Sequence, residues 1–184
     1  MKTQYLLNKI ISEEVLAFES YRCVMLMLTG MIKNNYSDKK FLKSVHKTVD
    51  DLAEDEYEDH AIKLIDYAQA HEYTFPTCNL QYRKYAGQTC STLSEQLKFG
   101  EDIDYYLNYV YILEQDAIAS YQNAIREAVE AGCDEEFIDI LSHNLEDEQE
   151  HLEKITISYT AAQLPIHGDN EYYILIDDED EDEE

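Results

Sequence analysis

Apolar positions recur at steps of three and four along four long stretches of the chain, roughly 3–32, 38–70, 102–131 and 134–162. That spacing lays a hydrophobic stripe down one face of an α-helix. Leu7, Ile11, Phe18, Tyr21, Met25 and Leu28 carry the first stripe, Leu107, Val110, Ala117, Tyr121 and Ala124 the third, and Leu141, Leu145, Leu152 and Ile155 the fourth. No run of β-branched residues alternates at period two, so the predicted fold class is all-α. Five glycines and two prolines fall between or at the ends of the stretches, where helices break. The short links "KNNYS" and "AGCD" predict antiparallel neighbours. The link that opens "EYTFPTCNLQYRKYAGQTCS" is much longer, and at roughly 3.3 Å per residue it can span a bundle. The expected architecture is a four-helix bundle over residues 1–164, with two antiparallel hairpins joined by a long crossover between helices 2 and 3. Residues 165–184 form an acidic C-terminal tail.

Composition narrows the function. A chain of 184 residues that is 45% hydrophobic builds one domain with a full core. Its net charge of −26, from 40 acidic against 14 basic residues, excludes direct binding to nucleic-acid phosphates and favours cations or basic partners. The last eight residues, "DDEDEDEE", are all acidic and repel one another. There is no unbroken apolar run of 18 residues, and two glutamates follow "MKTQYLLNKIIS" before a cleavage site can form. No membrane association and a cytoplasmic location are therefore expected. Cys23, Cys78, Cys90 and Cys133 show no Cys-x-x-Cys pairing and read as free thiols, although Cys78 and Cys90 bracket one loop and can meet.

Charge also intrudes on the stripes themselves. Glu14 completes the first, Glu114 the third, and Glu148 the fourth, with His151 one turn beyond. An unpaired buried carboxylate costs several kcal/mol, so three converging ones require a cation or protons. A metal ion satisfies all three, and Glu-x-x-His sets a carboxylate and an imidazole on one helical face. In the second stretch, "LAEDEYEDHAIKL", His60 is in place but Tyr57 stands three residues before it. One seam runs Ala53, Tyr57, His60, Leu64; the other runs Val49, Leu52, Glu56, His60. Glu56 also shares a face with His60, at i−4. Either Glu56 supplies a second bridging carboxylate, or Tyr57 faces the metals and the site is weaker or mononuclear. His46, His71, His143 and His167 have no seam carboxylate and read as surface or loop residues. Of the 16 tyrosines, Tyr21, Tyr57, Tyr111 and Tyr121 can sit near a metal site and quench oxidising intermediates.

These residues resemble the ferritin-like di-iron carboxylate proteins, and among them the bacterioferritin and Dps-like branch, over about residues 5 to 160. "LNKIISEEVLAFESY" is similar to the first helix of that family, "LEQDAIASYQNAI" to the third, and "EDEQEH" to the fourth. The resemblance implies metal ligands Glu14, His60, Glu114, Glu148 and His151, with Glu148 bridging and Tyr21 a catalytic tyrosine beside the site; the second helix departs from the family's Glu-x-x-His, with Tyr57 at the Glu position and Glu56 the provisional second bridging ligand. It implies a di-iron cofactor, manganese or zinc being compatible with the same ligands, and no haem, since no Met is placed to ligate one. The implied function is a ferroxidase that oxidises Fe(II) with O2 or H2O2 for iron storage or detoxification. A homo-oligomer, in some related branches a cage, accompanies it. Two alternatives stand beside this reading. One is a rubrerythrin-like peroxidase or oxygenase; the other is a non-enzymatic interaction protein with a degraded metal site, docking through "YYILIDDEDEDEE".

Overall fold

The computed structural model describes residues 2–34, 39–74 and 103–162, and every element among them is helical. Helix α1 spans Lys2–Asn34. Helix α2 is built of Lys39–Glu54, a π-helical turn Asp55–Ala61, and Ile62–Ala70. Helices α3 (Ile103–Ala131) and α4 (Glu135–Ala162) complete the order. The four predicted stretches fall close to these bounds because the long apolar stripes are continuous. The exception is the π-turn, whose i→i+5 bonding takes up one more residue than an α-turn.

Two apolar cores divide the helices between them. One gathers Tyr21, Val24, Leu28 and Met31 of α1 with Leu42, Val45, Val49 and Leu52 of α2, Tyr106, Leu107 and Val110 of α3, and Ile155 of α4. The other gathers Leu6, Leu7, Ile10 and Ile11 with Leu64, Tyr67 and Ala68, then Tyr121, Ala124 and Ala128, then Phe137 and Leu141. Each helix contributes to both cores, and each carries a buried acid between its two contributions. At about 25 cal/mol per Å² of apolar surface, the two cores hold the helices against the cost of the polar layer between them.

The α3–α4 connection shows local sequence fixing a turn. Gly132 adopts φ 68°, a left-handed conformation that suits glycine just past a helix end. Cys133 N–H then bonds to the Ala128 carbonyl and Gly132 N–H to that of Val129, which satisfies carbonyls the helix leaves open. Asp134 opens α4 by accepting from the Phe137 backbone N–H at 3.0 Å, as an N-cap does.

One expectation changes here. Cys133 is a free thiol, but Cys23 is disulfide-bonded, which corrects its reading as a free thiol. Spacing along the chain carries no information about a partner brought close by folding. Cys78, Cys90, the long link and the acidic tail lie outside the described residues. Helix α1, although it lacks an unbroken apolar run of 18 residues, has an 18-residue window with mean hydropathy 1.4, enough by length and composition to cross a membrane. Tyr21, Val24, Leu28 and Met31 of that helix are buried in the bundle, and a core helix passes the same compositional test.

Candidate metal centre

All six ligand candidates read from the sequence lie in the polar layer: Glu14, Glu56, His60, Glu114, Glu148 and His151 are each buried to within a few per cent of completely. They fall into two groups whose ligand atoms all lie within 4.8 Å of one another: Glu14, Glu56, His60 and Glu148, and Glu56, Glu114, Glu148 and His151. Glu56 and Glu148 belong to both. Their oxygens are divided to match. Glu56 directs Oε2 at His60 Nδ1 (3.6 Å) and Oε1 at His151 Nδ1 (3.7 Å). Glu148 directs Oε1 at His60 Nδ1 (3.2 Å) and Oε2 at His151 Nδ1 (3.8 Å). Glu14 Oε2 approaches His60 Nδ1 at 3.4 Å, and Glu114 Oε2 approaches His151 Nδ1 at 3.6 Å.

The π-turn is what brings Glu56 in. It covers Asp55–Ala61 and leaves Glu56 and His60 buried, while Tyr57 is 41% exposed. The Tyr57 ring lies against Phe18 at 5.1 Å between centroids, away from the cluster. Of the two residues that periodicity offers, the fold buries Glu56 in the cluster and exposes Tyr57. An α-helical count could not make that choice, because the extra residue between Glu56 and His60 is absorbed only by the wider turn.

A second ring of groups holds the first. Tyr21 Oη donates to Glu114 Oε1 at 2.6 Å, and Tyr121 Oη donates to Glu14 Oε1 at 2.5 Å while accepting from Asn144 Nδ2 at 2.9 Å. Each tyrosine thereby fixes one oxygen of the carboxylate on the opposite helix and leaves the other free to point inward. Asp55 Oδ2 lies 3.2 Å from His151 Nε2, and Asp147 Oδ2 lies 3.4 Å from His60 Nε2. The Asp55 contact is a hydrogen bond on the outer nitrogen of His151, which fixes that imidazole's orientation and raises its basicity toward a metal at the inner one. Accordingly, Asp55→Ala is expected to weaken Co(II) binding by about 10–100-fold while the helical circular dichroism signal is retained. Unchanged affinity in a competitive Co(II) titration would show that Asp55 does not orient His151.

Protonation follows from crowding. Burial raises the pKa values of Glu56 and Glu148 well above the ordinary carboxyl range, and the neighbouring carboxylates add to the rise. Burial acts to lower the pKa values of His60 and His151, but the carboxylates crowded around both rings outweigh it and raise both. Burial also pushes Glu14 up, yet the close approach of Glu56 and His60 and the hydrogen bond from Tyr121 hold it below its ordinary value. Protons thus do the neutralising in the metal-free protein. Even so, Glu14 Oε2, Glu114 Oε2, His60 Nδ1, His151 Nδ1 and both oxygens of Glu56 and Glu148 are buried without a hydrogen-bond partner. Those are the atoms a metal would take, and the donor set of carboxylates and imidazoles suits iron, manganese or zinc.

Asn144, Asp55 and Asp147 are site residues that the apolar stripes do not single out, and Tyr121 stands there only as one of four tyrosines near a metal. An internal repeat could have found most of them. Leu7-Asn8, Glu14, Ala17 and Ser20-Tyr21 recur 100 residues on as Leu107-Asn108, Glu114, Ala117 and Ser120-Tyr121, and "EDEYEDH" from Glu54 recurs as "EDEQEH" from Glu146. The second pair aligns Glu56 with Glu148 and Asp55 with Asp147, and it exposes one extra residue before His60.

A bundle of helices with a buried layer of glutamates and histidines able to hold metal ions defines a class of metal-binding helical proteins. Residues 6–157 match the family described as the ferritin-like domain, and the chain belongs to that family. Comparison with curated proteins and with solved structures gave no match.

Proposed function

We propose that this protein is a ferroxidase of the ferritin-like family, nearest in design to the bacterioferritin and Dps-like branch, that binds two Fe(II) ions per chain and oxidises them with O2 or H2O2. The observation that carries the reading is the pair of overlapping ligand groups sharing Glu56 and Glu148. In this reading Glu14 and His60 are terminal ligands of one ion, Glu114 and His151 of the other, and the two shared carboxylates bridge. The passage of each helix through both cores supports two antiparallel hairpins joined by a crossover between α2 and α3. Exposed Tyr5, Leu26, Val129 and Ile157 supply apolar contact surface for a homo-oligomer.

The substrate is Fe(II), and the chain's residues prepare for it in three ways. The carboxylates bind it and neutralise its charge; binding releases the protons held by Glu56 and Glu148. Tyr21 and Tyr121 keep Glu114 and Glu14 oriented. The apolar cores on either side exclude water. Two Fe(II) ions supply two electrons, which with two protons reduce O2 to H2O2 or H2O2 to two waters, leaving two Fe(III) ions. An intact six-residue set supports this reading over a degraded site.

The test is an anaerobic Fe(II) titration of metal-stripped protein, then exposure to O2 or H2O2 while ferric absorbance is followed. Two ions per chain and oxidation well above the rate in buffer are expected. One ion or none, with oxidation at the buffer rate, would remove the ferroxidase reading.

A further inference from the structure

The two outer carboxylates occupy matching places but meet different neighbours. Asp55 Oδ2 lies 3.7 Å from the Lys154 ammonium, which neutralises it and repels cations on that side. Asp147 Oδ2 lies instead 3.6 Å from Nε2 of His143, whose side chain is 57% exposed, while Asp147 is 30% exposed. The same Asp147 oxygen is 3.4 Å from His60 Nε2, a fully buried nitrogen that makes no hydrogen bond. One side of the site thus runs from solvent through an imidazole and a carboxylate to a buried ring, with no ammonium in contact with that carboxylate among the described residues.

The row extends outward. Glu135, Asp139, His143 and Asp147 succeed one another at i, i+4 along α4, which sets successive side chains about 5–6 Å apart. Glu135, Asp139 and His143 line one surface groove with Glu136, Ile140 and Lys63. Lys63 is itself paired with Asp59 at 3.4 Å, so its charge is largely answered. Carboxylate and imidazole are the donor types that suit a borderline divalent ion. With three carboxylates against one lysine in its lining, the groove is predominantly acidic, and such a groove raises the local concentration of cations.

We infer that Glu135, Asp139, His143 and Asp147 form a loading path for divalent cations, which reach the buried centre on the His60 side, while Lys154 closes the His151 side. This inference rests on the dinuclear reading and adds a direction of access to it. His143 and Asp139 act on arrival and hold no ion at equilibrium, so their loss slows loading without changing how many ions the centre keeps.

The experiment uses full-length metal-stripped protein and Co(II) under anaerobic conditions, with the visible absorbance of the bound ion followed by stopped flow and the final stoichiometry measured separately. The double variant His143→Ala/Asp139→Asn is expected to load about tenfold more slowly than wild type at low ionic strength, the difference shrinking as salt screens the charge. It still binds two ions per chain. Lys154→Gln is expected to load faster than wild type, because the second side opens. Unchanged loading rates in both variants, with two ions bound, would overturn the path and leave the dinuclear centre standing. Wild type that binds no more than one Co(II) would overturn the dinuclear reading and the path together.

Discussion

Glu148→Gln is expected to abolish two-ion binding and, in the metal-free protein, to flatten the dependence of stability on pH. Glu148 belongs to both ligand groups, so one substitution removes a donor from each, whereas loss of Glu14 or Glu114 removes a donor from one. The pH effect comes from the raised pKa values. Glu56 and Glu148 remain protonated in the fold at pH values where the unfolded chain has ionised. Their contribution is full below the ordinary carboxyl value of 4.5 and is lost as the pH rises through the raised one. His60 and His151, also raised, act in the same direction from their ordinary value of 6.5 upward. Glu14 acts the other way, being lowered: its contribution is present above 4.5 and is lost as the pH falls through its value in the fold. The metal-free protein should therefore be most stable in weak acid and lose stability toward alkaline pH, and a divalent cation should reverse that loss. An amide at position 148 cannot ionise, so part of the decline disappears. Thermal melts of metal-free wild type and Glu148→Gln across the range from about pH 5 to about pH 9, paired with Co(II) titrations, measure both effects. Two ions bound by Glu148→Gln, or a wild-type melting temperature that climbs with pH without metal, would contradict the assignment.

The residues legible in the sequence share a physical character. Glu14, Glu114 and Glu148 each stand alone in an otherwise apolar stripe, and the α-helical period holds on both sides of them. The whole-chain pattern of four stripes therefore marks the helices nearly to their ends. Where the period fails, the reading fails with it. The π-turn at Asp55–Ala61 shifts the residues after it relative to those before, so a straight count offers Tyr57 and Glu56 almost equally. Asp55 and Asp147 are hidden for a different reason. They sit among acids that look like a solvated face, and only the helix opposite turns them into partners of His151 and His60. The Cys23 disulfide is equally beyond periodicity, because a covalent link made by folding leaves no trace in the spacing of apolar residues.

Removing Asp59 tests the origin of the π-turn, and the expected result is a protein that keeps both metal ions. Deletion converts "EDEYEDH" to "EDEYEH", the spacing of "EDEQEH" in α4, so Glu56 comes to stand at i−3 from the histidine. The turn then needs only i→i+4 bonds, and Val49 and Leu52 on one side keep their phase relative to Leu64 and Tyr67 on the other. Asp59 is surface-facing, its side chain 57% exposed and paired with Lys63, so little packing is lost with it. Deleting Lys63 is the matched control. It removes the other half of the same surface ion pair, but from the regular helix Ile62–Ala70, where the loss of one residue rotates the rest of that helix by about 100°. Leu64, Tyr67 and Ala68 would then leave the core they share with Leu6, Leu7 and Phe137. Exposing a single buried leucine of this kind costs about 1.5–3 kcal/mol, and three core residues move together, so the control should melt at a much lower temperature and bind metal poorly. The Asp59 deletion should bind two Co(II) ions and melt no lower than wild type. If the two deletions behave alike, the extra residue before His60 is not what the π-turn accommodates, and the alignment of Glu56 with Glu148 loses its structural basis.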